Sequence, residues 1–393
     1  MPEKAKVPAI RFKDFTDAWE QRKWNETVDI STNMVDPKSR VFDELPHVAP
    51  GNIESFTGQL YDNVKLIKEE NLISGKFRFH AGDIIYGKIN PQLGKYVFAM
   101  FDGLTSADAY VLNAKNDLHQ KFLFALLQTK DFYEYSVSVS KRSGIPKINR
   151  DELNAYSYFA PSTVEQRKIG QLFLSIDNLI TLQQRKLLKL KNVKKAMLEK
   201  MFPKNGSSVP EIRFAGFTDA WEQRKVKDLF KATRGYVLAA TKTSESQTEK
   251  TPYPVYSSQT KDNGLMGYYT DYLYEDAITW TTDGANAGTV KYRSEKFYCT
   301  NVSGVLLSDQ VRANQMIAEA LNNISKKYVS YVGNPKLMNN IMSDIEIKLP
   351  KQENEREQIS DFFVKLDHLI TLHQRKYEKL QNLKKACLEK MFV

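Results

Sequence analysis

The sequence is poor in the residues from which disulfides, metal sites and membrane spans are built. It contains two cysteines, Cys299 and Cys387, and five histidines among 393 residues. Two cysteines cannot form a disulfide framework, and without a Cys-x-x-Cys or Cys-x-x-His pair they do not predict a zinc site. No apolar run approaches the roughly eighteen residues of a membrane span, and the first residues lack the apolar centre of a secretory signal. We therefore expect a cytoplasmic protein that binds no metal and enters no membrane.

Motifs for nucleotide binding and catalysis are also missing. The segment Gly87–Lys95 is not a phosphate-binding GxxxxGK[ST] loop, because its spacing is wrong and Tyr96 stands where a hydroxyl residue belongs. No Gly-rich turn resembles an S-adenosylmethionine site, and no Pro-Pro-aromatic run indicates an amino-methyltransferase. The segment Asp344–Lys348 (DIEIK) resembles a nuclease metal site, but its alternation is what a half-buried strand requires. These absences favour a chain with no catalytic site or cofactor of its own.

The composition is that of a folded, basic protein. Hydrophobic residues make up 41% of the chain and charged residues 26%, which is enough for the cores of two or three domains. Lysine and arginine number 57 against 47 aspartates and glutamates, so the formal net charge is +10. A positive surface favours polyanions, because each neutralised phosphate releases a counterion, but net charge alone indicates nucleic-acid binding only weakly.

Two segments of the chain occur twice. A leader, VPAIRFKDFTDAWEQRK at 7–23, recurs at 209–225 with 14 of 17 positions identical. An arm, residues 165–202, recurs at 355–392 with 22 of 38 positions identical. The chain is therefore a tandem duplication, and the repeated ends bracket two unlike middle segments. Two readers of different targets on one common frame would have this pattern, whereas two copies of one catalytic domain would share a motif in their middles.

Each arm carries the heptad pattern of a coiled coil. Ser162 and Glu165 have the spacing of a capping box, which predicts that the first helix begins near Thr163. Apolar residues then alternate at steps of four and three in both arms. The predicted helix-pairing positions are Ile169, Phe173, Ile176, Ile180, Leu187, Leu190, Ile359, Phe363, Leu366, Ile370, Tyr377 and Leu380.

Polar residues interrupt the two heptad patterns at matching places. They are Gln183 and Lys194 in the first arm and His373 and Lys384 in the second. Polar groups at buried heptad positions cost stability but fix register and partner, so the match predicts that the two arms pack on each other. Further apolar residues widen each stripe, which therefore needs another surface to cover it. The basic ends of the arms fit either a solvated face or a phosphate-facing one.

The unlike middles, residues 24–160 and 226–350, share an order of predicted elements. Each begins with a β-rich stretch, continues with one amphipathic helix near His119–Tyr135 or Ala313–Tyr331, and ends in a strand before the arm. This order predicts two α+β domains.

Polar loops in both middles offer side chains that could hydrogen-bond to base edges. Arginine and lysine suit guanine, asparagine and glutamine suit adenine, and aspartate suits cytosine. One such loop is usually a plain surface turn, and only their recurrence in both halves favours a DNA contact. The candidate DNA contacts are Lys88, Asn90, Gln92, Lys95, Lys141, Arg142, Ser143, Thr282, Asp283, Asn286, Lys291 and Arg293.

The leader, the arm and one strand-loop together resemble a known family. The duplicated FTDAWEQRK, the repeated EQ-x-KI…LF…ID-x-LI…LKKA-x-L-x-KMF and the Gly-Asp-Ile-Ile…Lys strand-loop of the first half resemble specificity (S) subunits of type I restriction-modification systems. The resemblance covers essentially the whole chain. It implies an α+β fold in which two pseudo-repeated target-recognition domains, each reading half of a split DNA site, are joined by two long antiparallel coiled-coil helices.

The same resemblance implies domain boundaries and partners. Target-recognition domain 1 is expected at 1–160, the first spacer helix and linker at 161–204, domain 2 at 205–349 and the second spacer helix at 350–393. The chain would be a non-catalytic subunit that binds double-stranded DNA, two methyltransferase (M) subunits and restriction-translocase (R) subunits. S-adenosylmethionine, ATP and magnesium would belong to those partners.

Two other functions stay open at this point. A stand-alone bivalent DNA-binding regulator would have the same basic, duplicated architecture. A coiled-coil scaffold whose globular heads bind proteins would share the arms. Co-purification separates the three, because only a specificity subunit would bring down a methyltransferase.

Overall fold

The computed structural model describes residues 7–141, 144–204, 206–258 and 261–393, without the side chains of residues 261 and 262. Two compact units divide the chain. Unit 1 holds the residues up to Lys186 together with His373–Val393, and unit 2 holds Leu187–Leu372. Each unit therefore contains one middle segment, the beginning of one arm and the end of the other.

Unit 1 combines antiparallel and mixed sheets with short helices. A four-stranded sheet has the order β2-β10-β7-β8, a five-stranded one the order β3-β6-β9-β4-β5, and β1 pairs with β11. The strands are β1 (Glu20–Lys23), β2 (Val28–Ile30), β3 (Met34–Val35), β4 (Pro46–Val48), β5 (Lys65–Leu66), β6 (Lys76–Phe79), β7 (Ile84–Gly87), β8 (Tyr96–Phe98), β9 (Gly103–Thr105), β10 (Ala109–Ala114) and β11 (Ser157–Ala160). The helices are α1 (Trp24–Thr27), α2 (Gln120–Leu126), α3 (Lys130–Val139), α4 (Arg150–Asn154) and the long α5 (Thr163–Lys200).

Unit 2 repeats the main features with a smaller second sheet. Its four-stranded sheet has the order β13-β19-β16-β17, a three-stranded one the order β15-β14-β18, and β12 pairs with β20. The strands are β12 (Glu222–Lys225), β13 (Phe230–Arg234), β14 (Tyr253–Tyr256), β15 (Leu265–Tyr269), β16 (Ala277–Thr281), β17 (Val290–Arg293), β18 (Tyr298–Cys299), β19 (Ser303–Ser308) and β20 (Glu346–Leu349). The helices are α6 (Gln315–Ser325), α7 (Asn339–Asp344) and the long α8 (Glu353–Lys390). The α+β fold with two long helices is thus confirmed.

The prediction of a single amphipathic helix near His119–Tyr135 is wrong in one respect. The structure divides it into α2 and α3, because the Thr129 hydroxyl caps a new helix by accepting a bond from the amide of Phe132 at 3.3 Å. Phe132 can then stack on Trp24, with ring centroids 5.5 Å apart, in the core of unit 1. Propensity alone does not signal this break, since Thr129 is also compatible with a helix interior.

The polar interruptions of the two arms meet each other across the helix pair. In unit 1 the side chains of Gln183 and His373 are hydrogen-bonded at 2.7 Å, and Lys384 binds Asp177 at 2.6 Å. In unit 2 Lys194 binds the matching aspartate, Asp367, at 2.6 Å. Within each unit residue numbers rise along one helix as they fall along the other, so the pairing is antiparallel. The predicted packing of the arms is confirmed.

The predicted pairing positions differ in burial along the helices. The first three positions of each helix are buried, and those further along are only partly covered except for Leu187. The buried ones are Ile169, Phe173, Ile176, Leu187, Ile359, Phe363 and Leu366, and the partly exposed ones are Ile180, Leu190, Ile370, Tyr377 and Leu380.

The leader closes each unit by binding both arms at once. In unit 1 the Arg11 guanidinium holds both carboxylate oxygens of Glu165 at 2.7 Å, which the capping-box spacing did not predict. Trp19 packs edge-on against Phe392 at the far end of α8, with centroids 5.9 Å apart. The amide of Ile10 donates to the Lys390 carbonyl at 2.9 Å. Strand β1, which follows, pairs with β11 immediately before α5.

Unit 2 repeats every one of these contacts. Arg213 holds Glu355 at 2.7 and 2.8 Å, and Trp221 packs on Phe202 with centroids 6.0 Å apart. The amide of Ile212 donates to a carbonyl near the end of α5, and β12 pairs with β20. Repeated contacts therefore account for three residues of the repeated leader, since the isoleucine, the arginine and the tryptophan have equivalent partners in both units.

We predict that Lys384→Met costs the protein about 3–5 kcal/mol of unfolding free energy, because it leaves the Asp177 carboxylate buried without a counter-ion. The two side chains are only 11% and 4% exposed. The double variant Lys384→Met/Asp177→Leu should recover most of that loss, and Lys385→Met, at an exposed neighbouring position, serves as control. Urea unfolding of all four proteins measures the coupling; equal losses in the single and double variants would contradict it.

The loss in Lys384→Met should also depend on pH. Burial already raises the pKa of Asp177 against the opposing effect of Lys384. Removal of Lys384 raises that pKa further, and a raised folded-state pKa means that protonation favours the fold while stability falls as pH rises through it. The difference from wild type should therefore be smaller at pH 5 than at pH 7.5. A difference that grows on acidification would show that Asp177 is not the group responsible.

Candidate nucleic-acid interface

Two of the polar loops that hold candidate DNA contacts are structural equivalents. The loop 87–95 joins β7 to β8, and the loop 281–289 joins β16 to β17; we call both the hairpin loop. In each, the amide of the first residue donates to the carbonyl of the ninth, at 2.8 Å in unit 1 and 3.0 Å in unit 2. In each, the amide of the seventh residue donates to the carbonyl of the fourth at 2.9 Å. These two backbone bonds are common to both loops, whereas the amide of the eighth residue donates to the carbonyl of Pro91 in unit 1 and of Thr281 in unit 2.

Left-handed backbone occurs at the same two places in both hairpin loops. The fourth residue is Asn90 with φ 51° or Gly284 with φ 93°, and the eighth is Gly94 with φ 55° or Gly288 with φ 81°. Asparagine and glycine are the residues that adopt this conformation with least strain. The conformation of the loop is thus specified by sequence in both units, while the remaining positions are free to differ.

A second loop holds each hairpin loop from the side. It has the sequence Gly-x-Pro-Lys at 144–147 and 333–336, and we call it the GxPK loop. The proline carbonyl accepts from the fourth amide of the hairpin loop, at 2.7 Å from Asn90 and 2.9 Å from Gly284. The lysine forms a β-bridge to the third residue of the hairpin loop in both units. Each unit therefore presents a bridged pair of loops.

In unit 1 the candidate side chains divide into tethered and accessible ones. Lys95 donates to the carbonyl of Ile53, and Lys88 is half-buried with its ammonium 5.3 Å from the ring centre of Tyr110. Burial lowers the pKa of Lys88, the Asp108 carboxylate opposes this shift, and Lys147 and Arg150 lower the pKa further, so Lys88 has both a carboxylate and two cations nearby. Asn90 is partly exposed, and Gln92 is exposed at the tip of the hairpin loop.

The remaining candidates of the first half lie beyond α3. Lys141 is exposed there. Arg142 and Ser143 lie outside the described residues, so their part in the site stays a prediction.

In unit 2 the candidate residues also have unequal positions. The Thr282 hydroxyl donates to the Asp283 carboxylate at 2.7 Å, and Asp283 is 3.9 Å from the Lys336 ammonium. Asn286 occupies the position equivalent to Gln92 and is partly exposed. The equivalent tips thus both carry an amide side chain, with different lengths.

Lys291 and Arg293 line a cavity of about 130 Å³ on the sheet of unit 2, together with Thr281 and Thr289 from the two ends of the hairpin loop. Arg293 is 7% exposed, and its guanidinium carbon lies 3.5 Å from the ring centre of Tyr256. It also donates to the Asn263 carbonyl. Burial is the main cause that lowers the pKa of both cations. Arg293 is therefore built into the fold, and base contact by either residue stays a prediction.

Two further properties of the described part of the chain bear on the site. No helix there is both long and apolar enough to cross a bilayer. Within the same residues, no three His, Cys, Asp or Glu side chains lie where they could share one metal ion.

A family model matches both halves of the chain. The model is described as "Type I restriction modification DNA specificity domain" and covers residues 17–192 and 218–382. The chain belongs to this family. It holds two copies of the specificity domain, and each copy consists of a leader, a middle segment and an arm. The match confirms the resemblance seen in the repeated motifs.

Curated relatives match parts of the chain. The specificity subunit of the type I restriction enzyme EcoDI from Escherichia coli is 33% identical over 188 residues, which are 47% of this chain and 41% of that protein. The MpnII specificity subunit of Mycoplasma pneumoniae is 30% identical over 152 residues, which are 38% of this chain and 44% of that protein. The chain thus matches less than half of the length of each of these two relatives.

A solved structure matches the whole chain. The S subunit of a type I restriction-modification system from M. genitalium aligns over 98% of this chain and 99% of that one, with a TM-score of 0.74 and 14% sequence identity. At this identity the likeness concerns the fold alone. It shows that the fold of this chain is a known one.

Inspection of the sequence missed the GxPK loop. Its signal was present, since the same three residues recur at an offset of 189 and are followed by a gapless stretch to Pro161 and Pro350. The identity is too short to stand out among the long repeats. Its structural role is visible only in the fold, where both copies bridge the hairpin loop.

We predict that two candidate contacts of the second specificity domain differ in role: one variant should weaken DNA binding, and the other should lower stability. Asn286→Ala should weaken binding to the cognate duplex by about 1–3 kcal/mol and relax one position of the motif, with little change in melting temperature. Arg293→Met should lower the melting temperature, because it removes the stack on Tyr256 and the bond to Asn263. Anisotropy titration and thermal unfolding separate the two, and a large loss of stability in Asn286→Ala would contradict this assignment.

Proposed function

We propose that this chain is the DNA-reading subunit of a type I restriction-modification complex and that each specificity domain reads one half of a split site. The observation that carries the proposal is the pair of equivalent hairpin loops, whose backbones agree while their side chains differ. Lys88 in unit 1 corresponds to Thr282 in unit 2, and Gln92 corresponds to Asn286. A constant loop backbone with variable donors and acceptors suits base readout. In such readout, side-chain contacts to base edges specify the sequence, and contacts to the DNA backbone position the protein.

We propose that the arms bind the methyltransferase subunits. Three of the four pairs of side chains that widen the heptad stripe stay exposed at matching places, while the fourth, Leu172 and Phe362, packs on the cores. Leu179 and Leu369 are 46% and 42% exposed, and Leu182 and Leu372 are 45% and 38% exposed. Val193 and Leu383 form a third such pair, at 37% and 48%. Exposed apolar residues on a helix indicate a partner surface. Because each unit exposes an equivalent set, two copies of one partner fit the arms.

Catalysis belongs to the partners in this proposal. The chain lacks the motifs that methyl transfer and phosphate hydrolysis require, so S-adenosylmethionine, ATP and magnesium would be held by the methyltransferase and restriction subunits.

We predict that the purified chain alone neither methylates nor cleaves DNA, and that adenine methylation begins when its methyltransferase is added. Incorporation of a labelled methyl group measures this. Methylation by the chain alone, with contaminants excluded by mass spectrometry, would overturn the proposal.

We further predict that the two domains read independently. Replacement of residues 24–160 by the corresponding segment of a related specificity subunit should change one half of the methylated motif and leave the other unchanged, because the leader and arm contacts stay intact. Genome-wide mapping of methylated adenines, with and without the exchanged segment, measures both half-sites. The reciprocal exchange of residues 226–350 is the matched control, and a swap that altered both half-sites together would refute independent reading.

A further inference from the structure

We propose that the cavity on the sheet of unit 2 is an anion site that holds one phosphate group between Lys291, Arg293 and the surrounding hydroxyl groups. In the complex with DNA this group is a backbone phosphate beside the half-site that unit 2 reads. The first statement stands on the cavity alone. The second rests on the proposed function and deepens it.

The first argument is that the fold does not need cations at these positions. The two hairpin loops are equivalent, so Lys291 and Arg293 correspond to Val97 and Ala99 of unit 1. The strand registers place both pairs on the same face of their four-stranded sheets. In unit 1 the two residues are buried in an apolar core together with residues of the five-stranded sheet. Unit 2 thus carries two cations where the same sheet face is apolar in unit 1.

The second argument is that the two cations have no counter-ion among the described residues. Arg293 is 7% exposed, and its Nε has no hydrogen-bond partner there. The Lys291 ammonium lies 3.5 Å from the side-chain oxygen of Asn263, at the limit of a hydrogen bond. Neither cation forms an ion pair with a carboxylate in the described part of the chain. Buried cations are ordinarily paired, because their removal from water is costly.

The nearby carboxylates are bound to other groups. Glu295 accepts a hydrogen bond from the Tyr256 hydroxyl at 2.6 Å. Glu319 and Asp367 both bind Lys194, at 2.7 and 2.6 Å. These carboxylates raise the pKa of one cation or the other, but burial is the largest cause for both cations, and the pKa of each is lowered. An anion from outside the fold would therefore offset a cost that the fold leaves uncompensated.

The third argument is the size and lining of the cavity. Its volume of about 130 Å³ is roughly ten times the 10–15 Å³ that one water requires, and well below the roughly 300 Å³ at which pockets for larger ligands begin. It therefore fits one tetrahedral anion but no nucleoside. Ammonium, guanidinium and hydroxyl donors together suit the several acceptor oxygens of a phosphate group. The hydroxyl groups that line the cavity belong to Ser257, Thr279, Thr281, Thr289 and Ser303.

The position of the cavity connects this phosphate with DNA. Thr281 and Thr289 are the first and last residues of the hairpin loop whose tip carries Asn286. A phosphate held at the base of this loop would position the tip on the duplex, as backbone contacts do in DNA readers. Because Val97 and Ala99 stand at the equivalent places in unit 1, the contact would belong to one half-site only.

The first arm of the test measures the anion site without DNA. Melting temperatures of the full chain and of Lys291→Met are recorded in potassium phosphate and in potassium chloride of equal ionic strength. Phosphate at about ten times its Kd should raise the melting temperature of wild type by about 3–6 °C and leave that of Lys291→Met unchanged. In chloride Lys291→Met should melt no lower than wild type, because the methionine removes an unpaired buried charge.

Two further variants serve as controls in this arm. Lys291→Arg keeps the charge and should keep the response to phosphate. Lys231→Met removes an exposed lysine at the opposite edge of the same sheet, and it should respond to phosphate as wild type does.

The second arm uses the chain assembled with its methyltransferase subunits. Wild type, Lys291→Met and Lys231→Met are titrated by fluorescence anisotropy against a duplex with the methylated motif and a scrambled duplex, over a range of salt. Lys291→Met should bind both duplexes about five- to tenfold more weakly, lower the slope of log affinity against log salt by about one, and leave the methylated motif unchanged.

Equal phosphate responses of wild type and Lys291→Met would overturn the anion site, as would a lower melting temperature of Lys291→Met in chloride. A phosphate response that requires Lys291, together with unchanged DNA binding, would overturn the assignment to DNA and leave a site for free phosphate. Relaxation of one motif position would make Lys291 a base reader and overturn the backbone contact. If wild type itself binds both duplexes equally, the proposed function fails, while the first arm still decides on the anion site.

Discussion

The antiparallel pairing of a helix with its own duplicate determines the rest of this structure. Because α5 and α8 are copies, a contact made by one residue of each must occur twice, once in each unit. Asp177 therefore binds Lys384, and Asp367 binds Lys194. Near the middle of the pair the equivalent residues Gln183 and His373 meet each other. These polar contacts in an otherwise apolar seam specify one register and one direction, as a slip by one heptad would leave buried charges without partners.

The ion pairs stabilise this register at a considerable desolvation cost. Asp177 is buried to the extent that its pKa rises in spite of its lysine. In unit 2 burial lowers the pKa of Lys194, but the carboxylates of Glu319 and Asp367 outweigh this effect, so the pKa is raised. In unit 2 the Lys194 ammonium also binds Glu319 on α6 at 2.7 Å, whereas in unit 1 the neutral side chain of Gln128 donates to Asp177 at 3.5 Å. The same arm thus adapts to two different middle segments through one neighbouring residue.

Sequence alone predicted what depends on repetition and periodicity. The bounds of the long helices, their pairing through matched polar residues and the α+β class all follow from the heptad pattern and the duplicated ends. Contacts between distant parts of the chain were not predictable, because no periodicity connects them. The bond of Arg11 to Glu165 and the packing of Trp19 on Phe392 join residues with no local relation. The leader could be recognised as repeated but not as the element that holds both arms.

In the candidate site, too, some features could be predicted from the sequence and others only from contacts between distant residues. Residue type predicted polar loops rich in donors and acceptors in both halves, but burial decides which of their side chains are accessible. Lys95 and Arg293 have the right chemistry for guanine, yet both are bonded to backbone carbonyls of their own unit. Gln92 and Asn286 are less conspicuous in sequence and lie at equivalent, accessible tips. Because glycine, asparagine and the GxPK loop fix the backbone, side chains at the tips can change without disturbing the fold. Such a separation of frame from tip allows one duplicated scaffold to carry two different sets of hydrogen-bond donors and acceptors.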